Sequence, residues 1–170
     1  MQDIFIRRVL HSLVRQRKEE ESFPEATKAK LDASIHYMAT VFEMIINGEI
    51  PSVKLYEDDL CLVILDINPV SKGHALVISK ECYPTFTEIP MATLSHMMEI
   101  ARKVDQKQRE VLKAEGTNIM INNSPASGQE VPHLHIHVIP RYSGDGKTPV
   151  FKKEKYADGE AAAYGEKLKI

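Results

Sequence analysis

A chain of 170 residues, 43% hydrophobic and 27% charged, can bury a full core without help from disulfides or a metal. Its 22 Lys+Arg against 24 Asp+Glu leave a net charge of −2, too balanced for a surface built to hold a nucleic-acid duplex or an anionic membrane. Cys61 and Cys82 make no disulfide framework, and the longest apolar run, near Leu60–Leu65, is far too short to span a bilayer, so a soluble, cytoplasmic domain is expected.

Residues 1–21 read as a helix, with Ile6, Val9, Leu10, Leu13 and Val14 in one arc. Their Arg-rich character also fits a mitochondrial leader, although Glu19, Glu20 and Glu21 favour a docked helix. A second helix starts at the capping-box signature Ser22-Phe23-Pro24-Glu25 and carries the stripe Leu31, Ile35, Met38, Phe42, Ile45 up to Gly48. Strands are expected over Val53–Tyr56, Cys61–Leu65 and Ala75–Ser79, separated by Glu57-Asp58-Asp59 and by Asn68-Pro69…Gly73. A long helix follows over about Met91–Ala114, its buried side read as Leu94, Met97, Met98, Ala101, Val104, Val111 and Leu112. Two more strands, Asn118–Ile121 and His133–Ile139, flank the polar loop Asn122–Gln129, and a weak helix over about Gly159–Leu168 ends the chain. Short connections and one inserted helix indicate an α+β domain with an antiparallel sheet of about five strands, residues 39–170, behind a helical extension, residues 1–38.

Three of the seven histidines stand two apart: His133-Leu134-His135-Ile136-His137. On a strand this spacing lines one face with imidazoles and sends Leu134, Ile136 and Val138 to the core. Packing alone gives no reason for such a row. A metal site and a nucleophile site both use imidazoles. At a rise of about 3.3 Å per residue, His133 and His137 are roughly 13 Å apart, too far to close around one ion with bonds of about 2.1 Å. The spacing favours a nucleophile, with the middle ring, His135, held in one tautomer at Nδ1 so that the Nε2 lone pair can attack. The loop from Asn122 to Gln129 offers amides, hydroxyls and backbone N–H groups suited to a phosphate, with Gly128 permitting close approach.

The run His133-x-His135-x-His137 resembles the signature of the histidine triad family of nucleotide hydrolases and transferases. Ile50-Pro51-Ser52, Tyr56-Glu57-Asp58, Leu65-Asp66-Ile67-Asn68-Pro69, Gly73-His74 and Gly128-Gln129 are similar to that family's core in the same order, over about residues 40–142, nearest to its Hint-like, bacterial-type branch. The resemblance implies a HIT-like fold and hydrolysis at the α-phosphate of a purine nucleoside phosphoramidate, of the adenosine 5'-monophosphoramidase type, through a covalent nucleotidyl-histidine. It implies His135 as nucleophile, flanked by His133 and His137, which orient it and touch the phosphate, with His74 supporting the triad. Asp66 would hold the ribose hydroxyls, and Phe42, Ile45 and Ile64 the purine. Asn122 and Gln129 would hold phosphate oxygens, helped by backbone amides at Ser127, Gly128 and Gln129. It also implies a homodimer. The rival readings are a dinucleoside polyphosphate hydrolase of the Fhit kind, and a nucleotide- or partner-binding protein with slow catalysis.

The chain departs from the resemblance at a few places. Thr40 and Glu43 stand where many bacterial-type members have a zinc-binding CxxC pair, and Cys82 where a further histidine ligand often sits. Glu130 replaces a serine thought to pass a proton to the leaving group, and the C-terminal segment has no tryptophan. No metal and no other cofactor is expected, since no redox or nucleotide-loop motif is present either.

Overall fold

A computed structural model of the protein describes residues 39–147 and 153–170. The helix expected over residues 2–21, and Leu31, Ile35 and Met38 of the second helix, lie outside the described residues.

The elements run α1 (Val41–Ile46), β1 (Lys54–Glu57), β2 (Cys61–Leu65), β3 (Ala75–Ser79), α2 (Met91–Leu112), β4 (Gly116–Met120), a 3₁₀ turn (Pro125–Ser127), β5 (His135–Arg141) and α3 (Glu160–Lys167). The five strands form one sheet in the order β1-β2-β3-β5-β4, every neighbouring pair antiparallel. The α+β expectation holds, and β2 and β3 have the bounds read from the sequence.

Alternation along the strands divides two apolar layers. Cys61, Val63, Ala75, Val77, Leu134, Ile136 and Val138 face α2, where they meet Leu94, Met97, Ile100 and Ala101. On the other face Leu62, Ile64, Leu76 and Ile78 pack under α1 through Val41, Phe42 and Ile45. The pairs Ile78↔His135 and Leu76↔His137 place those two histidines on the α1 face.

Two expectations are corrected. Met98, Val111 and Leu112 of α2 are exposed, while Ile100 and Gln108 are buried in their place. The buried residues Leu94, Met97, Ala101 and Gln108 recur at helical spacing, and Met98, one step of about 100° round the helix from Met97, turns away from the sheet. Gln108 is buried because its Nε2 donates to the carbonyls of Gly73 (2.9 Å) and Val138 (3.0 Å). The histidine strand begins at His135 rather than His133. Pro132 has no N–H, and His133 N–H turns back to Val131 O (2.8 Å), so regular pairing starts two residues later. Among the described residues no helix is long and apolar enough to cross a membrane.

Candidate active site

The site lies on the α1 face of the sheet, where the inner strand β5 presents His135 and His137 and the bend before it presents His133. The Phe42 ring packs edge-on against His135 at 4.9 Å and against His133 at 5.8 Å; His135 meets His137 at 4.8 Å.

Backbone carbonyls fix two of the tautomers, because a carbonyl can only accept. His133 Nε2 donates to Ser79 O (2.7 Å), leaving Nδ1 to accept from the Thr40 hydroxyl (3.0 Å). His135 Nδ1 donates to His133 O (2.8 Å), which leaves its Nε2 as a lone pair with no hydrogen-bond partner among the described residues. His133 is therefore fully buried with both nitrogens engaged, and neither is free for a phosphate oxygen. Its work is positional: its carbonyl holds the His135 ring. Thr40 takes part twice, since its hydroxyl also accepts from Glu43 N (3.2 Å) while Glu43 accepts from Thr40 N (2.7 Å), a reciprocal cap on α1.

His137 Nδ1 faces His74 Nε2 at 3.0 Å, and its own Nε2 is buried without a partner. His74 Nδ1 lies 3.3 Å from Asp66 Oδ2, so Asp66, His74 and His137 form a chain ending beside His135. Burial holds all four imidazoles below their ordinary range; at His137 it acts with the nearby His135 and His74 and lowers the pKa to about 4. The hydrogen bond to His133 O and the carboxylates of Asp66 and Glu130 pull His135 partly back. Near neutral pH the rings are uncharged and His135 keeps a free lone pair.

Phe42, Ile45 and Ile64 come together in one buried apolar cluster adjoining His135. The loop expected at the phosphate is tied to itself. Ser127 N–H and Gln129 N–H both turn to Ser124 O (3.1 and 3.4 Å), and Gly128 N–H turns to Pro125 O (2.9 Å). The Gln129 side chain accepts from Ser124 N (2.7 Å) and donates to Pro84 O (2.8 Å), pinning the loop. Asn122 makes only a long contact, 3.4 Å to Gly128 O. In this arrangement Asn122 and Gln129 each keep one side-chain N–H uncommitted. Thr40 and the Ser79 carbonyl are the functional positions that sequence reasoning missed. The capping-box spacing Thr40-Val41-Phe42-Glu43 was a usable signal for the first; a backbone acceptor leaves none.

A strand-borne imidazole with a carbonyl-fixed tautomer defines a histidine-centred site of the expected type. The HIT domain model matches residues 47–144, and the chain belongs to the HIT family. An adenylylsulfatase of Arabidopsis thaliana, HINT3, is 44% identical over 119 residues, covering 68% of this chain and 59% of that protein. The adenosine 5'-monophosphoramidase HNT1 of Saccharomyces cerevisiae is 36% identical over 121 residues, 71% of this chain and 74% of its own length. A Zn-bound histidine triad family protein from Mycobacterium smegmatis matches with a TM-score of 0.63 and 34% identity, covering 78% of this chain and 99% of its own.

The zinc of that relative prompts a test of the donors here. Glu43, Cys82 and His133 each bring one donor atom within 4.8 Å of the others. All three are already committed: Glu43 to the cap, His133 Nδ1 to Thr40, and Cys82 Sγ to Pro132 O (3.6 Å). As folded, this set does not fit zinc; a hydrogen-bonded clasp fills the place.

Proposed function

We propose that the protein hydrolyses purine nucleoside 5'-phosphoramidates and related α-phosphate derivatives through a covalent nucleotidyl-His135. The observation that carries this reading is the His135 Nδ1 bond to His133 O at 2.8 Å, which leaves the Nε2 lone pair of a neutral ring unpartnered. In the first displacement Nε2 forms a bond to the α-phosphorus while the phosphorus–nitrogen bond breaks, and the amine leaves with a proton taken from a solvent water, which is returned when the second water is consumed. Water then forms the new phosphorus–oxygen bond, releases the nucleoside monophosphate and restores His135. The purine lies against the Phe42, Ile45 and Ile64 cluster, the ribose hydroxyls on Asp66, and the phosphate near Asn122.

A second leaving group is favoured by the likeness to the adenylylsulfatase. Sulfate departs as a stable anion and needs no proton, so the same histidine serves an adenylyl sulfate without a donor at position 130. The exposed Met98, Val111 and Leu112 of α2, together with Ile119 on the edge strand β4, support a homodimer that covers them.

The test uses adenosine phosphoramidate, adenylyl sulfate and a diadenosine polyphosphate side by side, with the intermediate trapped for mass spectrometry. A nucleotidyl adduct on the peptide containing His135, and a His135→Ala rate lower by several orders of magnitude, are expected. Turnover surviving His135→Ala while His133→Ala abolishes the adduct would refute the assignment. Preference for the diadenosine polyphosphate would select the Fhit-like reading instead.

A further inference from the structure

Gln108 is a buried amide on α2, and packing does not account for it. Its Oε1 is buried without a partner. Leaving an amide oxygen unpaired in the interior is unfavourable, so an apolar side chain would fill the same place at lower cost. What the amide gains is at its nitrogen. One Nε2 hydrogen goes to Gly73 O (2.9 Å) and the other to Val138 O (3.0 Å). The pairing of β3 with β5 starts at Ala75↔Val138, and Gly73 lies before it in the chain. The amide therefore bridges the two segments one step beyond the last paired residues.

Each end of that bridge adjoins a histidine of the site. Gly73 O belongs to the peptide bond leading into His74, and Val138 follows His137. Val138 faces α2, while His137 faces α1, so the grip is applied from behind the sheet. On the α1 side His74 Nε2 meets His137 Nδ1 at 3.0 Å. Val70 N–H donates to His74 Nδ1 (3.4 Å), so the His74 proton sits on Nε2 and is given to His137 Nδ1. His137 then carries its own proton on Nε2, a buried donor open to a phosphate oxygen. His74 stands on a turn ahead of β3, not within a strand. Its N–H donates to Ser71 O (2.9 Å), and its carbonyl accepts from Asp66 N–H (2.9 Å). Neither tie reaches β5; the Gln108 amide does. Gly73 has φ +93°, and a Cβ there would collide with the Leu112 side chain, so α2 closes directly on this turn.

We propose that Gln108 is a positioning residue: acting through the sheet from the α2 side, its amide holds the His74 turn against β5, so that His74 can orient His137 at the phosphate. The effect on turnover rests on the hydrolase reading above; the ring contact is a property of the free protein. Without the bridge the turn shifts, the N–H···N bond lengthens and weakens, and His137 loses its single tautomer. The donor at its Nε2 is then present only part of the time. Charge gathers on the phosphate oxygens in the transition state, whereas the Phe42–Ile45–Ile64 cluster and Asp66 hold the bound nucleotide, so the loss falls on kcat.

Gln108→Met tests this, because methionine fills a similar volume and donates nothing. Gln108→Asn is made beside it, its amide one methylene too short to span both carbonyls. In the full chain labelled with ¹⁵N-histidine at neutral pH, a coupling across the hydrogen bond between His74 Nε2 and His137 Nδ1 is expected. In both variants it should fall by about half or more, and His137 Nε2 should lose its full protonation. Leu94→Ala supplies the comparison. It opens a cavity under the same helix, about 21 Å along α2 at 1.5 Å per residue, and should lower Tm while keeping the coupling. With adenosine phosphoramidate, kcat should fall about 10- to 100-fold in the Gln108 variants while KM stays within about twofold. An unchanged coupling in those variants, its absence from the unaltered protein, or an equal loss in Leu94→Ala would overturn the proposal. So would an unchanged kcat where the unaltered protein turns over. If the unaltered protein leaves the phosphoramidate intact, the hydrolase reading fails, and the coupling alone decides the bridge.

Discussion

Replacing Thr40 by Val removes one hydroxyl and little volume, and the structure gives its consequence in two parts. The hydroxyl accepts from Glu43 N at 3.2 Å as the cap of α1, and loss of such a cap costs about 1 kcal/mol. The same hydroxyl donates to His133 Nδ1 at 3.0 Å. His133 is fully buried and its Nε2 is held by Ser79 O, so the ring cannot turn to find another donor. An orphaned buried acceptor costs about 1 to 3 kcal/mol. Thr40→Val should therefore lose about 2 to 4 kcal/mol, or about 6 to 12 °C in Tm for a chain of this length. Thr40→Ser keeps both bonds and should stay within about 1 kcal/mol of the unaltered protein. Urea titration and calorimetry measure the loss, and kcat should fall as well, because the carbonyl of His133 fixes His135. A chelator should leave the Tm of the unaltered protein in place. Thr40→Val within about 0.5 kcal/mol of the starting protein, or a chelator-induced loss that zinc restores, would refute the clasp.

Ser124 sits at φ 74 and ψ 160, a backbone region open to glycine and strained for any other residue. Ser124→Gly should stabilise the protein by about 1 kcal/mol in urea titration, net of the freedom glycine gains when unfolded. The triad also sets an acid limit. Unfolded histidines bind protons near 6.5, while burial keeps the folded rings neutral to lower pH, so stability is complete above 6.5 and drains away as pH falls toward 4. The gap at His137, from 6.5 to about 4, is worth at most about 3 kcal/mol and about 2 after allowing for partial solvent access. Denaturation at pH 7.0, 5.5 and 4.5 reads it, and a flat profile from pH 7 to 5 would contradict it. Light scattering should give twice 19.2 kDa at micromolar concentration, and Met98→Glu should shift that mass toward the monomer.

The parts of the fold set by local pattern were legible in the sequence. Cys61–Leu65 and Ala75–Ser79 are apolar runs between turn formers, and they fold with those bounds. The α2 stripe is legible as a helix, yet an apolar pattern wider than one face does not say which of its residues meet the sheet, and Met98, Val111 and Leu112, expected inside, are outside. Gln108 was invisible to an apolar pattern because two carbonyls hold it in the core. At the site, the spacing of His135 and His137 put both rings on one face, as found. His133 was read as their equal, but the turn at Pro132 takes it off the strand and into contact with Thr40, 93 residues earlier. Contacts of that range depend on the finished packing. Gln129, expected to hold a phosphate oxygen, also pins its own loop through Ser124 N and Pro84 O, a role that only the folded loop reveals.

β5 is bordered on one side by β3 and on the other by β4, and its residues alternate between reaction chemistry and the interior. His135 and His137 are therefore bonded in the chain to Ile136, which is fully buried under α2. Amide exchange along these residues requires the central sheet to part, so it should report the global unfolding free energy. The backbone that carries the reactive ring cannot loosen by itself while the domain survives. Any motion that admits substrate or releases product has to come from the walls around this strand, and the stability of the whole domain becomes the measure of how accurately one imidazole is aimed.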